Sequence, residues 1–384
     1  CTCMRFSVDA HAIGQHLTGN EVYVRNLLNG FAALDVESEF TVYMAVEEAC
    51  AWIPERFTKR IVPRNPFLRL GFDLPRSLRQ LRPDLLHVQY TAPLVCPVPV
   101  VVSVHDVSFL EHPEWFTALR GRQLRMTVRR TVRNAVRVLT PSEFSRQAIA
   151  QAYGAEEKTV VIPNAVSDAF RPIPRESAAA WVRDRFGIPA PFVLSVGDLQ
   201  PRKNQIGLIH AFERLAAECP QLPHHLVLVG KETWYAGRVR VAARQSPCAG
   251  RIHFTGFVSD DELLRLYGAS DLFVFPSFYE GFGLPILEAM ACGRAVACSN
   301  TSAMPEVADA AAILFDPHSI GEMARAMKDL LIDSELRARM ERLGLQRSAA
   351  FSWENAAKKT LAVYYEVAQG RARLREAVRT APAL

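Results

Sequence analysis

Short apolar runs alternate with helical patterns along almost the whole chain, and no other feature of the sequence restricts the fold so strongly. Runs at 4–9, 40–46, 85–89, 100–104, 136–139 and 159–162 read as strands, with helical spacing at about 21–34, 74–82, 117–134 and 142–152 between them. Short strands interleaved with helices argue for a parallel sheet covered on both faces. The stretch 162–174 then holds three prolines, Pro163, Pro172 and Pro174, and interrupts the pattern. It restarts with strands at 192–196, 226–229, 252–254, 272–275, 295–297 and 312–314. Helices are expected near 204–218, 237–245, 260–268, 284–292, 319–332, 334–348 and 353–369.

A chain of 384 residues exceeds one ordinary core, so the reading is α/β, with two doubly wound Rossmann-like domains. The expected division is residues 1–165, residues 166–365, and a C-terminal end at 366–384. Within that end, Arg371 to Arg379 reads as a loosely ordered basic tail. Open α/β sheets bind ligands beyond the carboxyl ends of their strands, so two such domains would line one cleft.

Composition removes several classes. With 49% hydrophobic and 22% charged residues, the chain is neither disordered nor fibrous. No apolar run approaches the ~20 residues of a membrane span, and the first apolar stretch behaves as a strand rather than a secretory signal. The eight cysteines show no metal-binding spacing and read as reduced thiols of a cytoplasmic protein. A net charge of +5 does not call for nucleic acid, but its distribution is uneven. Eight basic residues fall between Arg56 and Arg82 against Asp73 alone, and seven arginines with no acid fall between Leu119 and Arg137. Leu124, Val128, Val132 and Val136 lie at helical spacing within the second run. Its plain reading is a helix with a solvated basic face. Its sharper reading is a docking surface for anionic lipid or a lipid-diphosphate acceptor.

Residues 271–293 carry the most chemistry. Leu272 to Phe275 is a buried strand, Pro276 and Ser277 stop it, and Gly281 and Gly283 allow a loop to approach a ligand. Pro285 suits the first turn of a helix that Gly293 closes. The free N–H groups and positive dipole end of that first turn favour a phosphate or a sugar hydroxyl. Glu280 and Glu288 flank the turn, and carboxylates suit sugar hydroxyls rather than phosphates. A dinucleotide fingerprint fails here, because Ile286 occupies the third glycine position.

Other candidates sit where strands end. Val196 to Asn204 leaves a strand and opens a helix with Arg202 and Lys203, the fixed positive charges a diphosphate requires. Gly230 and Lys231 end another strand, and Phe257 and Val258 follow a third. Asp260 and Asp261 suit the start of the next helix better than a metal. His105 and Asp106 leave the strand at 100–104, and Gly19 lies in the turn before the first helix.

The stretch around Glu280, Gly281-Phe282-Gly283 and Glu288 resembles the signature of glycosyltransferase family 4, a retaining family with the two-domain GT-B fold. The resemblance implies that Glu288 holds the ribose of a nucleotide diphosphate sugar. It implies that Glu280 and the amides of Gly281, Phe282, Gly283 and Leu284 hold the transferred sugar, with His105 against it. Lys203, and less directly Arg202, would then meet the diphosphate. In much of the family an arginine follows the strand's glycine, whereas Asp198 stands there in this chain. Gly230 and Lys231 would border the donor, Phe257 and Val258 the nucleobase, with Leu263 packing on the nucleotide. Gly19 would lie against the diphosphate and acceptor. The last helix would cross back to the first domain.

The resemblance extends to bacterial mannosyltransferases of polysaccharide assembly through Gln200 to Asn204, His105 to Phe109 and His112 to Phe116. The expected activity is transfer of a hexose, mannose from GDP-mannose in the favoured form, to a hydroxyl of a glycan or lipid-linked saccharide. No metal and no cofactor are expected. Glu280 and His105 are the expected catalytic residues. The protein is expected in the cytoplasm, peripheral on the inner face of the membrane. Two rival classes are an inactive sugar-nucleotide-binding scaffold and an NAD-dependent oxidoreductase.

Overall fold

The structure, a computed structural model, describes residues 3–15 and 18–380. It divides into two compact units, residues 1–164 with 352–384 and residues 165–351.

The first unit holds β1 (Arg5–Asp9), β2 (Glu39–Met44), β3 (Thr58–Ile61), β4 (Leu85–Gln89), β5 (Val100–Ser103), β6 (Arg137–Thr140) and β7 (Thr159–Val161). They form one parallel sheet in the order β3-β2-β1-β4-β5-β6-β7. Successive residues point to opposite faces, and both faces are covered. Phe6, Val8, Leu85, Val101 and Leu139 pack on one side with Leu27, Phe31, Leu361 and Tyr364 from helices Thr18–Leu34 and Trp353–Thr380. Leu86, Val88, Val100, Val102 and Val138 face the other way, onto Val128, Val132 and Ile149 of helices Ala118–Asn134 and Glu143–Tyr153. The helices at 18–34 and 353–380 cross so closely that a Cβ on Gly30 would come within 2.5 Å of the Ala357 Cβ.

The second unit holds β8 (Phe192–Val196), β9 (His225–Val229), β10 (Ile252–Gly256), β11 (Leu272–Phe275), β12 (Val296–Ser299) and β13 (Ile313–Phe315). Its parallel order is β10-β9-β8-β11-β12-β13. Phe192, Leu194, Phe273, Phe275 and Val296 pack on one face, while Val193, Leu272, Val274 and Ala297 pack on the other. In both sheets the chain reverses its direction of travel beside the first strand, between β1 and β4 and between β8 and β11. Such a reversal splays the loops at the carboxyl ends and opens a crevice for a ligand.

Four expectations need correction. Strand β3, Thr-Lys-Arg-Ile, was not expected because three of its four residues are exposed; it is an edge strand whose charges protect a free edge. Helix Arg175–Phe186 was also not expected, and only Ala178 and Val182 are buried along it, too few for an apolar stripe. The first helix begins at Thr18 rather than Glu21, so Gly19 lies inside its first turn. The basic stretch is not a segment apart from the last helix: as far as Thr380 its backbone continues the helix from Trp353, as Arg, Ala, Leu and Glu favour. The second unit therefore ends at Phe351 instead of 365, and no separate segment begins at 366; residues 381–384 lie outside the described residues.

Candidate active site

The crevice of the second sheet is formed by the loops that follow β8 and β11. Gly197 continues β8 by donating to Val229, and Gly230 continues β9 by donating to Gly256. Gly230 has φ +149, and a Cβ there would sit 2.2 Å from the Gly197 carbonyl oxygen, so only glycine lets these two strand ends lie together. Beyond Gly197 the chain makes a short 3-10 turn, Pro201–Lys203, and enters helix Gln205–Glu218. Gln205 bonds the carbonyls of Gly197 and Asp198 (3.2 and 3.0 Å), fixing the loop from which Arg202 and Lys203 project.

Both cations converge on Glu280. Lys203 Nζ lies 2.6 Å from Glu280 Oε1, and Arg202 Nη1 lies 2.9 Å from Glu280 Oε2 and 3.2 Å from the Tyr279 carbonyl. The Glu280 main chain is held as well, by Ser302 Oγ accepting from its N–H at 2.9 Å. Burial would raise the Glu280 carboxyl, but Arg202 and Lys203 outweigh it and hold the group below its ordinary range. Burial lowers Lys203 despite the attraction of Glu280, and its ammonium sits 4.8 Å above the Phe275 ring. Two cations against one carboxylate leave one positive charge over. The sequence reading gave the cations to a phosphate and Glu280 to a sugar; the fold binds them to one another.

Glu288 lies just over one turn into helix Leu284–Ala291, which Gly283 (φ +107) starts and Pro285 continues. Its Oε2 accepts a 2.9 Å hydrogen bond from the Tyr267 hydroxyl. Burial, reinforced by Asp260, pushes the carboxyl up to about 7 against the opposing influence of Tyr267 and Lys203. Phe282 is buried and packs edge-on against Phe351, so only its main chain is free to meet a ligand. Val258, Leu263 and Leu284 share its core cluster, while Phe257 is 53% exposed. Lys231 pairs with Asp198, with Nζ to Oδ2 at 3.6 Å. The acid standing where the family has an arginine is thus matched by a lysine from the next strand end.

His105 and Gly19 belong to the first unit. His105 follows β5, and its Nε2 lies 3.1 Å from Gln89 Oε1 at the end of β4. Gln89 Nε2 donates to the Asn20 carbonyl at 3.3 Å, which fixes the amide so that its oxygen faces the histidine. His105 therefore carries its proton on Nε2 and offers Nδ1 as an acceptor. Burial pushes the ring down to about 4, so it is neutral at physiological pH. The Tyr23 ring meets it edge-on at 4.7 Å. Asp106 Oδ1 accepts from the N–H and Oγ of Ser108 and shapes the following loop. Among the described residues, no atom outside its own helix lies within 4 Å of where a Cβ on Gly19 would sit.

The sequence reading missed Tyr267, Ser302, Gln89 and Tyr23. Each acts across a distance of 16 to 82 positions. No local pattern marks them. Among the described residues, no three His, Cys, Asp or Glu side chains gather as metal ligands.

Comparisons with known proteins bear on the family and the fold. The pattern described as Glycosyltransferase Family 4 matches residues 17–170, and that described as Glycosyl transferases group 1 matches residues 183–347. The Escherichia coli O-antigen chain mannosyltransferase B is 32% identical over 274 residues, 69% of each chain. The E. coli serotype-specific mannosyltransferase WbdA is 37% identical over 205 residues, 53% of this chain but 25% of that much longer protein. Among solved structures, Anabaena HepE in complex with UDP and glucose aligns with a TM-score of 0.76 at 20% identity, covering 94% of this chain and all of that one. WaaG, a glycosyltransferase involved in lipopolysaccharide biosynthesis, aligns at 0.73 with 18% identity over 94% and 99%. At those identities the likeness establishes the GT-B fold.

Proposed function

This chain belongs to glycosyltransferase family 4, and on that premise we propose that it moves mannose from GDP-mannose to a hydroxyl of a glycan or lipid-linked saccharide, with retention at the anomeric carbon. The observation that carries the reading is the convergence of Arg202 and Lys203 beside the start of helix Leu284–Ala291, at the reversal of the second sheet. The relatives named as mannosyltransferases support the sugar.

In this mechanism the diphosphate takes Arg202 and Lys203, and the amides of Gly281 to Leu284 add their dipoles. Glu280, stripped of part of its cation contact, accepts from hydroxyls of the transferred mannose. Glu288 accepts from the ribose, Phe257 and Val258 border the guanine, Leu263 packs on the nucleotide, and Gly230 and Lys231 border the donor. His105, neutral, accepts from a mannose hydroxyl through Nδ1, and Gly19 leaves room for the acceptor. The bond from the anomeric carbon to the phosphate oxygen breaks as the acceptor oxygen bonds the same face, and the acceptor's proton passes to the leaving phosphate. The cations and the helix end neutralise that phosphate, so the reaction is expected to proceed in a chelator.

The acceptor is met at a membrane surface through the Arg-rich helix. Among the described residues, no helix is long and apolar enough to cross a membrane. The test is a thermal-shift panel of GDP, UDP, dTDP and NAD, followed by an assay for GDP release from GDP-mannose. Stabilisation by GDP alone supports the reading, stabilisation by UDP or dTDP changes the donor, and stabilisation by NAD overturns the class.

A further inference from the structure

The first unit carries an exposed apolar ridge where the sequence reading saw only basic charge. Between β3 and helix Leu74–Leu81 the chain forms a short helical turn, Pro66–Leu68, and a π-turn, Arg69–Asp73. Phe67 is 77% and Phe72 74% exposed, and Leu68 is exposed between them. Arg69, in the middle of the same turn, points the opposite way. It is buried, with Nε 3.5 Å from Oδ2 of the buried Asp9 at the end of β1. A buried ion pair thus anchors a turn that holds two phenylalanine rings in water. Ion pairing is a poor way to gain stability there, because desolvating both charges offsets most of their attraction. Fixing the outward direction of the neighbouring side chains is what the pair does achieve.

The ridge continues onto the Arg-rich helix. The Leu94 N–H donates to the Leu70 carbonyl at 3.3 Å, which places exposed Leu94 and Val95 beside the turn. That segment is tied in its turn to helix Ala118–Asn134. Arg130 donates to the Pro93 and Leu94 carbonyls, Thr91 bonds Thr127, and Thr131 Oγ1 accepts from the Ala92 N–H. Leu119, Arg122, Met126, Arg129 and Arg133 recur at steps of three and four and form the helix's outer stripe. Leu119 is 82% and Met126 64% exposed, and Arg130 lies next to this stripe on the side of the 91–95 segment. Among the described residues, none of Arg122, Arg125, Arg129 and Arg133 is in an ion pair. The turn follows β3, the 91–95 segment follows β4, and His105 follows β5, so the ridge runs along the carboxyl edge of the sheet that presents His105.

We propose that the turn at 66–73, the 91–95 segment and the outer stripe of helix Ala118–Asn134 form one face that docks onto an anionic lipid bilayer, with the apolar side chains entering the interface and the arginines meeting lipid phosphates. Charge selects the occupant: aromatic and aliphatic side chains bordered by unpaired arginines match an anionic interface, and scattered arginines would repel a second copy of the same face. The proposal deepens the reading of a lipid-linked acceptor and rests on it, because the docked edge is the one that carries His105.

The test uses the full chain and flotation with vesicles of phosphatidylcholine, with and without about one third phosphatidylglycerol. Phe67→Ser/Phe72→Ser removes the rings, and Arg122→Gln/Arg129→Gln/Arg133→Gln removes the charge; all five side chains are exposed, and unchanged thermal midpoints verify folding. Wild type is expected to float with the anionic vesicles only, and each variant to lose about tenfold or more in partitioning. Binding that survives in the phenylalanine variant overturns the apolar face, and binding to neither vesicle overturns the docking. A concentration-dependent dimer that the phenylalanine variant abolishes would reassign the face to self-association and overturn it as well. GDP stabilisation, read on the same samples, separates the two readings. It should be equal in wild type and both variants, and its absence in wild type would count against the donor assignment while leaving the vesicle result intact.

Discussion

The crevices of the two sheets occupy equivalent places in the topology and are built from opposite chemistry. In the second unit, three ionised side chains meet at hydrogen-bond distance and leave a positive charge over. In the first, His105 is a neutral ring among aromatic edges and an amide, held there by burial. A site for a diphosphate must store charge before the ligand arrives. At His105 a neutral acceptor loses less solvation when covered than a charged one would.

The most damaging change should fall on the charged side. Lys203→Met removes the charge-assisted hydrogen bond to Glu280 Oε1 and leaves Arg202 as the carboxylate's partner, a loss of roughly 1.5–3 kcal/mol. Both the thermal midpoint and the GDP affinity by calorimetry are expected to fall. Glu280→Ala should separate the two properties. Turnover falls while GDP affinity is kept or improved, because both cations are then released for the phosphates. Loss of affinity in Glu280→Ala and not in Lys203→Met would invert the comparison.

On the neutral side, His105→Ala is expected to lower turnover by about 10²-fold, the lower range for a positioned imidazole, with GDP affinity unchanged. Since His105 titrates near 4, turnover should show no inflection from it between pH 6 and 9. An inflection near 6.5 that disappears in His105→Ala would show the ring to be charged in action.

The pH response should instead come from Glu288, whose carboxyl is raised from an ordinary 4.5 to about 7. The folded protein holds this proton more tightly than the unfolded chain. Its contribution to stability is full below about 4.5 and is lost as pH rises through about 7. Donor binding has the opposite sign, because ribose hydroxyls donate best to the anion, so affinity should climb across the same range. Glu288→Gln is expected to flatten both curves. The smallest effect is reserved for Tyr267→Phe. Its hydroxyl favours the Glu288 anion, so removing it should move the affinity inflection upward and cost about 1 kcal/mol of stability.

What the sequence disclosed, and what it withheld, follows the same physical line. Strands such as Leu272–Phe275 and helices such as Leu284–Ala291 are visible because apolar runs, glycine and proline are local signals. The loops that follow strands at the crevice, with Lys203, Glu280 and His105 on them, were visible for the same reason. Strand β3 was hidden because an edge is protected by the charges that make it look like a loop. Tyr267 and Gln89 were hidden because a hydrogen bond to a residue on another element leaves no periodic trace. The partnership of Glu280 with Arg202 and Lys203 lies between: each residue was singled out, but 77 positions separate Lys203 from its carboxylate.

The last helix imposes a timetable on synthesis. Residues 165–351 are contiguous and can close their core as soon as Phe351 has left the ribosome. The first sheet is translated earlier, yet Ala357, Leu361, Tyr364 and Val367 belong to its buried core and emerge only after the whole second unit. Until then Phe6 and Phe31 lack the ring of Tyr364 that packs against them. The sheet that is made first is therefore closed second, and a pause in translation between Phe351 and Ala357 would leave one completed sheet and one with its greasy flank open.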